Sequence, residues 1–366
     1  MRLQCFNNFD DLSPHQEAWE RLSGGVPFRR MAWLANWWRQ YGAGQRLAIQ
    51  TVWQDDQLVA IVPWYQHESA ASGRVLRLLG DGPVCTDYAD LLLHPDHAEA
   101  SIQLLADSLA NSHEDWDLLE LENIPASGTH LATLAEQLTA LNCRTHATEA
   151  LNCWRLALPE SWDAFEMAQS KSHRKQIRRL LRRVLETDRA KLHIAQTPEA
   201  VRLAFPTLID LHMRRRKSLD QPGCFASEAF ARFLPEAAIA LAESGHCELL
   251  TLELDGEAIA AEIHFVDGNI SFAYQAGIDP ERLEEEPGSL MQIAMIQHAM
   301  HAGRQAIDFL RGDEPYKPHW RATATPCVTL RVVPNTASAR LRHGLWSTGN
   351  QLKSWVKAGL SLTSAE

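Results

Sequence analysis

The densest group of side chains capable of acid–base chemistry lies between Gly303 and Trp320, where the sequence reads GRQAIDFLRGDEPYKPHW. A short apolar run, Ala306 to Leu310, leads directly into charged and aromatic residues. Two prolines and a glycine fix the path of the loop that follows, and loops held on a rigid sheet often carry binding and catalytic groups. The stretch therefore predicts a strand that presents a functional loop, although a solvated turn with an aromatic anchor has the same composition. Arg311, Glu314 and Trp320 are the candidate substrate contacts in this loop.

Asp308 interrupts the apolar strand, and a carboxylate in that position needs a partner. Arg311 or Lys317 could supply the opposite charge. Alternatively, Asp308 is a base that removes a proton from an acceptor. The sequence leaves both interpretations open.

A second pair of titratable groups, Glu262 and His264, lies two residues apart in the strand predicted from Ala258 to Phe265. Side chains at this spacing share one face of a sheet, so the two groups would lie together. Either could serve as the base for an acceptor, and His264 titrates closer to neutral pH. A core histidine with satisfied hydrogen bonds has the same pattern. Tyr274 and Gln275, on the next predicted strand, could line the same cleft, and Gln275 is a candidate substrate contact.

A candidate phosphate site opens the apolar helix predicted from Ser289 to His301. A helix N-terminus offers unpaired N–H groups and the favourable end of the helix dipole. In Pro287-Gly288-Ser289, Gly288 permits close backbone approach and Ser289 is the predicted N-cap. An ordinary helix cap has the same motif. The glutamates at positions 284–286 would oppose an anion unless they point to solvent.

Basic residues at helical spacing fill the segment from Ser170 to Arg183, with an apolar stripe on the opposite face. This segment is either a solvated face that pairs with the acidic residues of the chain or a surface for an anionic ligand. Arg178 represents it among the candidate substrate contacts. The positions concerned are Lys171, Arg174, Lys175, Arg178, Arg179, Arg182 and Arg183.

The elements that must position these groups occur in an order that is repeated along the chain. A strand hairpin, a strand, a helix, a strand and a helix are predicted over residues 47–141. A hairpin turning at Asp255-Gly256, a third strand, a helix and the strand before the functional loop are predicted over residues 247–310. The repeat predicts an α/β protein of two similar domains, 1–159 and 160–335, followed by a helical tail, 336–366. That tail is either a docked helix or a contact for a membrane surface or a partner.

Length and composition bound the function further. A chain of 366 residues with 45% hydrophobic and 22% charged residues suits a globular protein of two domains. Its net charge of -11 disfavours general nucleic-acid binding. Its seven cysteines include no CxxC pair, which argues against a zinc cage and a disulfide framework; we expect buried reduced thiols and no metal. Neither a membrane-spanning run nor a signal-peptide pattern is present, so the sequence predicts a cytoplasmic protein.

Several segments together resemble a known family. The run D-F-x-x-G-x-E-x-Y-K-x-x-W resembles the C-terminal signature of the GNAT-type acyltransferases of the CelD/BcsL group, which are related to the Fem peptidoglycan aminoacyltransferases. Other segments follow the family in the same order, and the resemblance covers roughly residues 160–330. They are SKSHRKQIRRLLRR, LHMRRRKS, LDGEAIAAEIHF, AYQAGIDP and PGSLMQIAMIQHAMHAG.

This resemblance implies two tandem GNAT-like domains, each a mixed sheet flanked by helices, with the active site in the second. It also implies acetyl-CoA or another acyl-CoA as co-substrate, with its pyrophosphate at Pro287–Ser289. Lys317 matches a lysine thought to face the developing oxyanion in the Fem relatives. Tyr316 would be the acid for the departing thiolate. Members usually carry a fuller glycine-rich loop where this chain has EEEPGS.

Three functions are compatible with these observations. The first is transfer of an acetyl or other acyl group to an amine or hydroxyl of a sugar, polysaccharide or cell-envelope precursor. The second is transfer of an aminoacyl group from charged tRNA, for which the basic helix would bind the RNA. The third is a non-catalytic partner of exopolysaccharide or envelope biosynthesis machinery. The acceptor would be a small molecule or a glycan.

Overall fold

The computed structural model describes residues 1–187 and 189–348, and its secondary structure alternates strands and helices throughout. Residues 337–348 are also helical. The strands are β1 (Arg2–Phe6), β2 (Arg46–Leu47), β3 (Ile49–Gln54), β4 (Gln57–Val62), β5 (Trp64–Ser69), β6 (Gly73–Leu78), β7 (Leu92–Leu93), β8 (Leu118–Pro125), β9 (Arg144–Glu149), β10 (Cys153–Ala157), β11 (Ala190–Ala195), β12 (Cys247–Leu254), β13 (Glu257–Asp267), β14 (Ile270–Ile278), β15 (Ala306–Arg311), β16 (Thr323–Thr325) and β17 (Cys327–Val333). The helices are α1 (Gln16–Leu22), α2 (Met31–Tyr41), α3 (Ala98–Asn111), α4 (His130–Ala140), α5 (Trp162–Ala168), α6 (Lys171–Leu180), α7 (Pro198–Lys217), α8 (Glu228–Glu243), α9 (Pro287–His301) and α10 (Tyr316–His319), and a π-helical turn, Leu181–Leu185, extends α6.

The C-terminal half is built on a seven-stranded mixed sheet with the order β11-β12-β13-β14-β15-β10-β16. The β12–β13 hairpin turns at Asp255 and Gly256, which both have positive φ, as a two-residue type I′ turn requires. On one face of the sheet, Ile263 and Phe265 belong to the core that includes residues of α7 and α8. On the other face, α6 and α9 pack against β12.

The N-terminal half divides its strands between two sheets. One has the order β1-β3-β4-β7 and the other β2-β5-β6-β8-β17-β9. The predicted hairpin around QDDQ is confirmed as β3 and β4. The strand predicted from Tyr88 to Leu93 is reduced to β7, because residues 82–88 form a 3-10 turn and an irregular loop in which Cys85 and Tyr88 have positive φ.

The two halves exchange strands. β10 lies N-terminal to the predicted boundary at residue 159, yet it pairs with β15 and β16 of the C-terminal sheet. β17 follows the C-terminal strands in sequence, yet it pairs with β8 and β9 of the N-terminal half. The division into 1–159 and 160–335 therefore stays a prediction, and it cuts through the seven-stranded and the six-stranded sheets.

One hydrophobic core spans the halves. Trp33 of α2 packs against Phe265 of β13, with ring centroids 5.1 Å apart. Phe28 also contacts Phe265 and Phe272. The tryptophan-rich N-terminal segment is thus core material that supports the C-terminal sheet.

The start of the predicted tail docks on the N-terminal half. Arg342 pairs with Asp117 at 2.9 Å, and the Arg331 guanidinium lies 3.9 Å from the centre of the Trp346 ring. Residues 349–366 lie outside the described part of the chain. No helix among the described residues is long and apolar enough to cross a bilayer.

Candidate active site

A cleft opens where two parallel strands separate. β14 and β15 pair only from Ile270 to Phe272 and from Ala306 to Asp308. Beyond this point the strands diverge and leave a cleft of about 360 Å³. Because β14 has no neighbouring strand there, backbone groups on its free edge are available to a ligand. On the β15 side, the N–H and carbonyl groups of Leu310 and Arg311 are already bonded to Asp308, Asp87 and Lys317. The cleft is lined by Pro83, Val84, Cys85, Asp87, Arg216, Phe230, Glu262, Ala273, Tyr274, Gln275, Ala276, Phe309, Leu310, Arg311, Glu314, Tyr316 and Lys317.

Glu262 is the buried carboxylate of the cleft that an acceptor could reach. It is 5% exposed and lies directly opposite Ala276 on the neighbouring strand, so both side chains share one face. A β-bulge follows, where Ile263 pairs with Gln275 but His264 pairs with Ala273. Bulges re-aim side chains and leave one residue, here Tyr274, out of the ladder.

His264 supports Glu262 from behind. Its Nε2 lies 3.3 Å from Glu262 Oε1, and its Nδ1 lies 2.8 Å from Ser271 Oγ. His264 is 2% exposed and is not among the lining residues. It therefore contacts Glu262 without a hydrogen bond and does not reach the acceptor, so of the two candidate bases the geometry favours Glu262.

Tyr316 lies across the cleft near Glu262. Its side chain packs edge-on against Phe309, and burial together with the Glu262 and Glu314 carboxylates raises the pKa of its hydroxyl. The hydroxyl therefore keeps its proton at neutral pH and has it available for a leaving group, although the raised pKa makes it a weaker acid than a free phenol. The sequence placed Tyr316 and Lys317 on an extended loop; they lie instead in the short helix α10, because Pro315 and Pro318 hold φ at helical values.

Lys317 is fully occupied by the protein itself. Its Nζ donates to the carbonyls of Leu310, Arg311 and Gly312 at 3.1, 2.9 and 2.9 Å and pairs with Glu314 at 2.9 Å. An ammonium has three N–H donors, so none remains for a substrate oxyanion. This geometry favours a positioning role for Lys317 over the expected contact with the reacting carbonyl.

Asp308 is a buried structural carboxylate. Its partners are the Tyr88 hydroxyl at 2.7 Å, Arg155 Nε at 2.8 Å and the Leu310 N–H at 2.9 Å, not Arg311 or Lys317 as expected. Burial raises the pKa of this carboxyl. Asp308 does not line the cleft, so it joins the two halves and is not placed to act as a base.

The N-terminal half contributes a wall of the cleft that sequence reasoning missed. The Asp87 carboxylate accepts a hydrogen bond of 2.8 Å from the Arg311 N–H and another from its Nε. The Tyr274 hydroxyl donates to the Val84 carbonyl. The only sequence signal was the turn-rich run GDGPVCTD, which predicted a turn between two strands but not its contact with the cleft.

The predicted phosphate site differs from expectation. The N-cap of α9 is Glu286 in a left-handed conformation, and Ser289 lies in the first turn. Glu286 pairs with Arg179, and Glu285 pairs with Arg183 at 3.1 Å. Two of the three glutamates are thus held by the basic helix, and the segment from Pro287 to Ser289 does not line the cleft.

Two other candidate substrate contacts lie away from the cleft. Trp320 is 4% exposed, and its ring stacks on that of Phe165 with the ring centroids 6.4 Å apart. Arg178 pairs with Glu166 at 2.8 Å. By contrast, Gln275, Arg311 and Glu314 all line the cleft, as predicted contacts should.

The matching position in the N-terminal half is filled. β6 and β8 are also parallel and pair only at Val75–Leu76 with Leu118–Leu119. Beyond that point, Arg77 bridges Asp81, at 3.1 Å, and Glu120. Tyr65 also donates to Asp81 at 2.7 Å. In the N-terminal half, this largely buried network therefore fills the space that corresponds to the opening between β14 and β15 in the C-terminal half.

Comparisons with known proteins agree with this architecture. The sequence profile of the acetyltransferase (GNAT) domain matches residues 171–318. The crystal structure of FemX superposes with a TM-score of 0.66 at 12% identity, covering 93% of this chain and 99% of that chain. The structure of L-PGS from Bacillus licheniformis superposes with a TM-score of 0.55 at 11% identity, covering 90% of this chain and 94% of that chain. The C-terminal domain of a putative lysylphosphatidylglycerol synthetase from Agrobacterium fabrum superposes with a TM-score of 0.54 at 14% identity, covering 89% of this chain and 94% of that chain.

No curated protein matches the sequence. At these identities the structural matches establish the fold, and the predicted α/β fold of two GNAT-like halves is confirmed. The sequence match and the cleft fall in the same half of the chain. Residues 171–318 therefore match the model of the acetyltransferase (GNAT) domain, and they lie within a chain that has the fold of FemX.

Proposed function

We propose that this protein transfers an acetyl or other acyl group from acyl-CoA to an amine or hydroxyl of a sugar, polysaccharide or cell-envelope precursor. The observation that carries the proposal is the separation of β14 and β15. An extended ligand arm with amide groups can pair with strand edges as an added strand does. The pantetheine arm of an acyl-CoA has this chemistry.

The roles of the lining residues follow from their geometry. Glu262 accepts the proton of the attacking amine or hydroxyl, and His264 holds it in place. Tyr316 donates a proton to the departing thiolate. Backbone N–H groups near the bulge at Tyr274 stabilise the oxyanion, because Lys317 has no donor left.

A thiol-release assay tests this function. Acetyl-CoA is incubated with the protein and a panel of amino sugars, sugar alcohols and neutral amines, and free CoA is measured. The proposal predicts acceptor-dependent release of CoA. Absence of both release and any stabilisation by acetyl-CoA, propionyl-CoA and longer acyl-CoA would count decisively against it.

Aminoacyl transfer from tRNA remains the second candidate because of two specific observations. The start of α9 is flanked by Glu285 and Glu286, which are unfavourable neighbours for a pyrophosphate. In addition, Lys171, Lys175 and Arg182 are exposed on the basic helix. If tRNA is the donor, its binding weakens steeply between 50 and 200 mM salt, the range over which a protein making several phosphate contacts loses roughly 10³-fold or more in affinity. Absence of tRNA binding at low salt would remove this candidate.

A further inference from the structure

Arg311 presents an unused edge of its guanidinium in the cleft. Its backbone N–H and its Nε both donate to Asp87. Among the described residues, neither Nη atom donates a hydrogen bond, and Asp87 is the ion-pair partner of the guanidinium. The side chain is 21% exposed and lines the cleft. The two Nη groups form the planar fork that matches the oxygens of a carboxylate or phosphate.

The position of this fork is fixed before any ligand arrives. Asp87 is 1% exposed and holds Arg311 from the N-terminal half. The Lys317 ammonium donates to the backbone carbonyl of Arg311 and to those of its two neighbours, Leu310 and Gly312. A side chain immobilised in this way loses little conformational entropy on binding.

The charged groups that line the cleft balance, three cations against three carboxylates, and Glu262 is the carboxylate among them that faces the acceptor. Glu314 is paired with Lys317, and Asp87 with Arg311. Arg216 at the end of α7 adds a second guanidinium, which donates a hydrogen bond of 2.7 Å to the Gln221 side chain. Asp81, Glu120 and Glu122 lie behind Arg311. Arg77 pairs with all three and Arg331 pairs with Glu120, so two cations offset most of this negative charge.

We propose that the acceptor carries an anionic oxygen group, a carboxylate or a phosphate, which binds the Nη edge of Arg311 while its amine or hydroxyl faces Glu262. This inference rests on the proposed function, since it concerns the acceptor of the same cleft. Arg216 attracts the same group at the mouth of the cleft. The N-terminal half thus selects the acceptor through Asp87, which aims Arg311.

The test observes the Nε–H signal of Arg311 by NMR in protein labelled with ¹⁵N-arginine, assigned by its loss in Arg311→Lys. Inorganic phosphate and acetate are titrated separately at constant ionic strength, with chloride as the control. A single bidentate pair in a partly open site supports about millimolar affinity. We expect a saturable shift with one or both anions and none with chloride. No saturable shift up to about 50 mM, well above that affinity, would overturn the proposal.

Arg216→Gln is the variant that should not disturb folding, because Arg216 is exposed. It is expected to raise the apparent Kd of the bound anion about threefold.

The NMR signal of Arg311 is then used to compare the binding of glucosamine, glucosamine 6-phosphate and glucosaminic acid to the wild-type protein. Either charged probe should bind about tenfold tighter than glucosamine, and the better one identifies phosphate or carboxylate. Equal affinities for all three would overturn the proposal.

The acyl-CoA donor is the other ligand of the cleft that could bind the Nη edge of Arg311. If acetyl-CoA shifts the Arg311 signal and displaces phosphate, the edge belongs to the donor and the proposal fails. These binding measurements do not require turnover. Thiol release with neutral acceptors but no anion binding at Arg311 would therefore refute this inference alone, whereas anion binding without thiol release would refute the proposed function alone.

Discussion

At the scale of single residues, the cleft separates groups that can react from groups that hold the site together. Glu262 and Tyr316 line the cleft, and among the described residues neither forms an ion pair with a lysine or an arginine. Lys317 and Asp308 are saturated by fixed partners. Substitutions in the two sets should therefore have different consequences.

Glu262→Gln is expected to lower the rate of thiol release about 10²-fold or more, because an amide cannot accept the proton. The affinity for acetyl-CoA should stay the same, since the donor does not need the base. Kinetics at saturating acetyl-CoA, together with calorimetry, measure both quantities. Glu257→Gln, an exposed site on the same strand, is the matched control. Unchanged turnover in Glu262→Gln would exclude this residue as the base.

Lys317→Met is expected to lower the free energy of unfolding by about 2 to 4 kcal/mol, because three carbonyls lose their donor in a buried site. Turnover should fall as well, through displacement of Arg311 and Tyr316. Urea unfolding measures the stability, and exposed Lys175→Met is the control. Full stability with a large loss of turnover would instead indicate direct contact of Lys317 with the oxyanion.

The sequence predicted the types of the cleft residues better than their contacts. Glu262 and Gln275 were identified because polar groups stood at strand positions, and Tyr316 was identified through the family resemblance. The Asp87–Arg311 contact joins residues 224 positions apart, and no local pattern reports such a pair. The saturation of Lys317 depends on the left-handed backbone of Leu310, a conformation that its β-strand sequence does not announce.

At the scale of elements, the basic helix α6 positions the loop that carries Tyr316. His173 of α6 packs against His319, with ring centroids 3.9 Å apart, and against Trp320 at 4.4 Å. Arg179 and Arg183 hold the loop before α9. The predicted alternatives for this helix are thus partly resolved: part of its charge is paired within the protein, while Lys171, Lys175 and Arg182 stay exposed.

Packing of α6 on α10 should make stability sensitive to acid. Burial, with the neighbouring His319 and Arg321, lowers the pKa of His173 to about 4, whereas an unfolded histidine titrates near 6.5. As the pH falls from about 6.5 towards 4, only the unfolded chain takes up this proton, so stability present above pH 6.5 is progressively lost. Between pH 7 and 4.5, the free energy of unfolding should therefore fall by about 2 kcal/mol less in His173→Gln than in the wild type. Identical pH slopes for variant and wild type in urea unfolding would contradict the assignment.

At the scale of the whole molecule, the strand exchange makes the halves interdependent. The sequence could not reveal it, because the periodicity of β10 and β17 predicts strands but not the sheet that each strand joins. β8 pairs with β6 over only two residues, so it depends on β17. The shared aromatic core adds a second link between the halves.

Fragments cut at the predicted boundary should not fold independently. Residues 1–159 lack β17, and residues 160–335 lack β10 between β15 and β16. We expect scanning calorimetry to show one cooperative transition for the full chain and none for either fragment. A cooperative transition in the isolated 1–159 fragment would show that the exchanged strand is dispensable.

The central claim is that the opening between β14 and β15 binds the acyl donor, and calorimetry with a blocked cleft tests it most directly. Ala276 is exposed and faces the opening beside Glu262, so Ala276→Trp should fill the cleft without unfolding the protein. Exposed Ala71→Trp, in the β5–β6 turn, is the control. The account predicts that Ala276→Trp weakens acetyl-CoA binding at least about tenfold, or roughly 1.4 kcal/mol, while Ala71→Trp does not. Equal binding by wild type and both variants would contradict it.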